Sequence, residues 1–130
     1  MRAGLASLDV LERESLGERA SVFGEELRAR LRDELADFEM VKEVRGIGML
    51  SGIEFRAPRK LALRVPFKAF QRIHPAMFGQ IIVMRLFREH NILTQICGNN
   101  FMALKVAPPL VVTEEQLNQF VSSIHEVVVT

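Results

Sequence analysis

The sequence predicts an α+β fold: a small, mostly antiparallel sheet made of two hairpins, with helices packed on one face. Two observations predict it. Alternating apolar stretches come in pairs joined by glycine- or asparagine-bearing turns, and stretches of helical period lie before, between and after the pairs. The expected order is helix, two strands, helix, two strands, helix, in one domain over residues 1–130.

The first element is a long N-terminal helix from about Leu8 to Ala36. Phe23, Leu27, Leu31 and Leu35 recur every four residues, and Glu, Arg and Asp fill the other face. Gly17 and Gly24 each lower helix propensity by about 1 kcal/mol relative to Ala, which places a bend or break near Gly17. The period then changes. "VKEVR" alternates, Gly46-Ile47-Gly48 interrupts it, and Met49 to Phe55 resumes as a second strand, which together read as a hairpin. A phosphate loop would need a strand running directly into a helix, and here a strand follows, so these glycines read as a turn.

Residues 56–75, "RAPRKLALRVPFKAFQRIHP", read as a loop or insertion. Pro58, Pro66 and Pro75 exclude one continuous helix, and Arg56, Arg59, Lys60, Arg64, Lys68 and Arg72 make a local basic patch. "AMFGQIIVMRLFREHN" is a helix apolar nearly all round at Met77, Phe78, Ile81, Ile82, Met84 and Phe87, which predicts burial on more than one side. Asn91 is its left-handed stop. "ILTQIC", a turn at Gly98-Asn99-Asn100 and "FMALKVA" form the second hairpin. On its last strand Phe101, Ala103 and Lys105 share one face, and Met102, Leu104 and Val106 the other. Pro108-Pro109 ends pairing. "TEEQ", Thr113 to Gln116, is a capping box that opens the C-terminal helix, carried by Leu117, Phe120, Val121, Ile124 and Val128.

Bulk properties exclude several function classes. At 130 residues the chain buries a core without disulfides or metal. A net charge of +1 and nine Phe without Trp or Tyr give no basic, aromatic-interleaved surface for nucleic acid. No run of 18 apolar residues spans a membrane. Cys97 is the single cysteine, which favours a reducing, cytoplasmic setting. His74, His90 and His125 lack metal-ligand spacing, so no metal is expected. Cys97 beside a glycine turn is either a reactive thiol or a small apolar residue. Glu43 and Glu54 belong to neighbouring strands and read as surface charge. Composition and spacing alone assign no catalytic residue.

"VKEVRGIGMLSGIEF", followed by "ILTQICGNNFMALKVAPPLVVTEEQLNQFVSSIHEV", resembles the C-terminal small domain of class III pyridoxal-phosphate aminotransferases. This is the family of the ornithine, acetylornithine, 4-aminobutyrate and putrescine enzymes. "SLDVLERESLGERASVFGEELRARL" is similar to the long helix by which the family enters that domain. The likeness covers nearly all of the chain outside residues 56–75.

The resemblance implies a protein that moves an amino group between an amine or amino acid and an oxo acid or aldehyde. It also implies that the pyridoxal phosphate, its lysine and most phosphate contacts lie in a preceding large domain. That domain is the expected partner, in a homodimeric parent. The present chain is then expected to hold no cofactor, to be inactive alone, and to self-associate through the surface that domain would cover.

One site residue follows from the same resemblance. Family members that take amino acids carry, on the strand before the prolines, an arginine that clamps the substrate carboxylate. Lys105 stands at that position. An ammonium offers a point charge where a guanidinium offers a bidentate fork, so substrate binding at Lys105 implies a looser hold or a substrate without a carboxylate. The other reading of Lys105 is a lysine that caps a strand edge. The alternative for the whole chain is a free-standing α+β interaction or regulatory module, with residues 56–75 and the Met77–Phe87 helix as its contact surfaces.

Overall fold

The computed structural model describes residues 2–129. In chain order the elements are α1 (Arg2–Arg13), α2 (Leu16–Glu34), β1 (Val41–Ile47), β2 (Leu50–Phe55), α3 (Leu61–Ile73), α4 (Met77–His90), β3 (Gln95–Cys97), β4 (Asn100–Val106) and α5 (Glu114–Val129). The strands form one sheet in the order β1-β2-β4-β3, and every neighbouring pair is antiparallel. The α+β architecture of two hairpins is therefore present, with β2 and β4 joining them side by side.

One face of the sheet carries the core. Val44, Ile53, Leu104 and Val106 meet Leu27, Leu31 and Leu35 from α2 and its C-terminal end, Ile82 and Leu86 from α4, and Leu117, Val121, Ile124 and Val127 from α5. The stripe read on the N-terminal helix is the part of α2 that packs here. The approach is close: a Cβ on Gly24 would stand 1.7 Å from the Gly48 carbonyl oxygen. Gly48 itself has φ +53°, which an L side chain rarely adopts, and with Met49 it forms the two-residue turn between Ile47 and Leu50. Arg28, buried in α2, donates to the Gly48 carbonyl at 2.7 Å and to Ser51 Oγ at 3.2 Å, and pairs with Glu25 at 3.0 Å. A buried guanidinium is tolerable only with such partners. At the other end, the capping box closes as read: Gln116 N–H donates to Thr113 Oγ1 at 3.2 Å and Thr113 N–H to Gln116 Oε1 at 3.0 Å. Asn91, at φ +57°, stops α4.

Four expectations are corrected. The long first helix is two helices; the break expected near Gly17 occurs, at Ser15, φ +48°, two residues ahead of it. The stretch 56–75, read as a loop, holds the 13-residue α3. Pro58 and Pro75 bound that helix rather than break it, and Pro66 forfeits a single intrahelical bond. Phe67 of α3 packs edge-on against Phe78, and Phe78 against Phe55, with centroids 5.6 and 5.4 Å apart. Helix α4 is not enclosed: Ile82 and Leu86 are buried, whereas Ile81, Met84 and Phe87 are exposed. Finally, β1 continues through Ile47, so Gly46 lies within the strand and not in the turn.

Helices α1 and α3 have no buried residue among those described. Both are amphipathic. Leu5 and Leu8 of α1 and Leu61 and Ile73 of α3 leave most of their side-chain surface in water.

Candidate functional site

The sheet face opposite the helices is built by strand alternation. Ser51, Ile53 and Phe55 point into the core, so Leu50, Gly52 and Glu54 point the other way. Pairing then sets residues in rows. Arg45 lies opposite Gly52, Gly52 opposite Lys105, and Lys105 opposite Gln95, one residue from each strand. Lys105 is half-buried on β4, an interior strand, so protection of a sheet edge does not account for it. Its backbone carbonyl accepts a hydrogen bond from Thr94 Oγ1, which ties the strand to the segment ahead of β3. Leu93, Thr94, Gln95, Lys105 and Ala107 line a shallow depression of about 290 Å³.

The neighbouring row is charged and self-compensating. Glu43 lies opposite Glu54, and a bulge between Val41 and Glu43 lets Lys42 reach the same place. Lys42 Nζ is 2.7 Å from Glu54, and Arg45 is 3.3 Å from both Glu54 and Glu43. The hydrogen bond from Lys42, with the charges of Lys42 and Arg45, holds the Glu54 carboxyl below its ordinary value, against the opposing effect of its burial. Two cations therefore answer two carboxylates. The Lys105 ammonium, by contrast, has no hydrogen-bond or ion-pair partner among the described residues. On the other side of the Lys105 row, Ile47, Leu50 and Leu93 are exposed, Ile47 by 81%. The face thus grades from apolar, through one uncompensated cation, to a neutral charged cluster.

The remaining candidates stand apart from one another. His74 lies beside Phe70, His125 is 3.4 Å from Glu34, and His90 Nε2 is buried, 3.9 Å from Glu126. No group of three metal-ligating side chains occurs among the described residues. Cys97 sits half-buried at the tip of the β3–β4 hairpin. Of the basic residues of 56–75, Arg64, Lys68 and Arg72 lie on α3, whereas Arg56, Arg59 and Lys60 precede it, and Arg56 donates to the Glu39 carbonyl at 2.8 Å. Gly46 packs against β2, where a Cβ would meet the Leu50 carbonyl oxygen at 2.2 Å, which accounts for glycine at this position. Sequence reasoning missed the company of Lys105. The β1–β2 register can be counted out from a two-residue turn, but the β2–β4 pairing that sets Gly52 beside Lys105 joins distant segments and leaves no local signal.

These residues do not make a pyridoxal-phosphate site by themselves. A cleft of about 430 Å³ between the end of α4, Pro108-Pro109 and α5 is lined by no lysine, arginine, aspartate or glutamate. Lys42 is committed to Glu54, and Lys105 has no acidic residue in its own row. Among the described residues, neither the cleft beside Pro108-Pro109 nor the depression at Lys105 is lined by both an amine for the cofactor aldehyde and a carboxylate for its ring nitrogen.

Comparison with known proteins follows the sheet and its helices closely. Over 119 residues the chain is 33% identical to the diaminobutyrate–2-oxoglutarate aminotransferase of Rhizobium meliloti, which covers 92% of this chain and 24% of that protein. A solved structure from the directed evolution of transaminases by ancestral reconstruction superposes with a TM-score of 0.78 at 32% identity, covering 97% of this chain and 26% of the other. The ornithine aminotransferase of Toxoplasma gondii, solved with partial occupancy of PLP at its active site, superposes with a TM-score of 0.71 at 27% identity, over 95% of this chain and 25% of that one. The chain spans about a quarter of the length of such relatives. Residues 1–128 match the family model described as Aminotransferase class-III. The chain belongs to the class III aminotransferases.

Proposed function

We propose that this chain serves as the C-terminal small domain of a class III pyridoxal-phosphate aminotransferase, and that its open sheet face forms one wall of the substrate cleft. The observation that carries the reading is Lys105, an uncompensated cation on an interior strand of a face no core helix covers. A cation with no partner among the described residues of its own domain is suited to a partner from outside. In this reading the partner is the carboxylate of an amino acid or oxo acid, held by a point charge and not by a guanidinium fork.

The cofactor and its chemistry are assigned to a large domain of the same protein. The exposed apolar residues of α1 and α3, and Ile47, Leu50 and Leu93 on the open face, are the surface that domain and a second subunit of a homodimer cover. Residues 56–75, inserted between β2 and α4, belong to that surface. The single cysteine favours a cytoplasmic setting, and no helix among the described residues is long and apolar enough to cross a membrane.

The test is Lys105→Ala in the full-length protein, with transamination measured on an amino acid and on the amine that lacks its carboxylate. A rise in KM confined to the amino acid is the expected result. Unchanged turnover and affinity for both eliminate a substrate role. The isolated chain, mixed with pyridoxal phosphate, is expected to develop no stoichiometric visible absorbance band.

A further inference from the structure

The glycines around the first hairpin are not equivalent. Gly24 faces the Gly48 carbonyl, Gly46 is pressed against β2, and Gly48 needs its positive φ. Each is glycine because a side chain would collide or strain. Gly52 is different. It lies mid-strand with ordinary extended backbone, and the nearest atom to a Cβ there is the Leu104 carbonyl oxygen at 3.8 Å, an ordinary contact. A Cβ would fit, so alanine is tolerated there, and in general a β-branched residue suits a strand better than glycine. A glycine inside a strand that its own fold does not require marks a place where something else approaches the backbone closely.

What surrounds Gly52 indicates the visitor. Its row neighbours are Arg45, already tied to Glu43 and Glu54, and Lys105, which is tied to nothing described. The gap left by the missing side chain opens on the strand position paired with Lys105. We infer that Gly52 is a specificity-determining position: its bare backbone lets the substrate's carboxylate-bearing end lie flat on β2 against Lys105. The inference rests on the proposed substrate-cleft reading and adds to it. Lys105 supplies attraction, and Gly52 supplies room. The class of substrate is an amino acid or oxo acid, whose carboxylate the Lys105 ammonium would hold.

The experiment uses the full-length protein with Gly52→Ala and Gly52→Val. A panel of amino acids is paired with the amines lacking their carboxylate, such as 2,4-diaminobutyrate with 1,3-diaminopropane. Single-turnover donor half-reactions keep the acceptor's own carboxylates out of the measurement. The ratio of kcat/KM for acid over amine is expected to fall in the order wild type, Ala, Val, by at least about tenfold at Val. Thermal unfolding should show both variants folded. An unchanged ratio, with Lys105→Ala still raising KM for the acid, overturns the role of Gly52 and leaves the cleft reading standing. Loss of subunit assembly in Gly52→Val shows that the bare backbone receives another part of the protein instead, and also overturns it. A wild-type protein that reacts with no donor overturns the cleft reading itself, and one that reacts only with amines overturns both carboxylate assignments.

Discussion

The two faces of the sheet are made of the same four strands, yet their residues obey different rules. On the helix-covered face every position is fixed by what it touches: Ile53 and Leu104 are fully enclosed, and Gly24 allows the α2 backbone to reach the Gly48 turn. On the open face Gly52 is smaller than its space requires, Lys105 lacks a partner, and Ile47 stands 81% exposed. The difference teaches where stability and function are divided. Most of the apolar burial lies on one face, whereas Gly52 and Lys105 on the other are not called for by packing within the domain.

The sharpest way to break this comparison is a matched pair of truncations. Ile53→Ala on the covered face removes a fully buried side chain and should cost about 2–5 kcal/mol in denaturant unfolding. Lys105→Ala, on the next strand but the opposite face, should change stability by no more than about 0.5 kcal/mol. Equal losses would erase the distinction between the faces. The pair exchanges rank when transamination is read in the full-length protein. There Lys105→Ala should raise KM for a carboxylate-bearing donor about tenfold, a loss of about 1.4 kcal/mol, within the usual range of a charged hydrogen bond. Lys105→Arg, which supplies the bidentate fork, should lower it.

A smaller effect tests the frame that holds the covered face. Thr113→Ala removes the side-chain acceptor of the α5 capping box and should cost about 1 kcal/mol in thermal or denaturant unfolding, with Thr113→Ser close to wild type. No change would mean that water serves the first-turn amides of α5 equally well.

Legibility followed the same division. The capping box and the Leu27–Leu31–Leu35 stripe were readable because both are written within a few residues of chain, at the spacing of one helix. The break between α1 and α2 was readable from the low helix propensity of Gly17, but its place at Ser15, two residues earlier, was not. Helix α3 was hidden by three prolines, of which two lie outside it, and the contact of its Phe67 with Phe78 is made only in the folded chain. The apolar belt of α4 suggested burial on several sides, but the surface that would cover Ile81, Met84 and Phe87 is not within these residues. Lys105 could be singled out through family resemblance alone. Its row, Arg45, Gly52 and Gln95, required the register between strands separated by half the chain.

The smallest expected effect concerns the charged row beside Lys105. Glu54 carries a carboxyl held below the ordinary value of 4.5 by the Lys42 hydrogen bond first, then by the Lys42 and Arg45 charges, with burial opposing. A carboxyl depressed in the folded state contributes stability that is complete above the unfolded value and is lost as pH falls through the folded one. Glu54→Gln should therefore lower stability at neutral pH, and the gap between variant and wild type should close on acidification below about 4.5. Because Lys42 stands largely in solvent, salt should shrink the neutral-pH gap as well. The same substitution sharpens the comparison of faces. With Glu54 neutral, Lys42 loses its partner while Arg45 keeps Glu43, so one further cation joins Lys105, and a carboxylate-bearing donor should bind more tightly while the domain itself becomes weaker. A variant that lost both stability and donor affinity would show that the cluster supports the binding face rather than merely neutralising it.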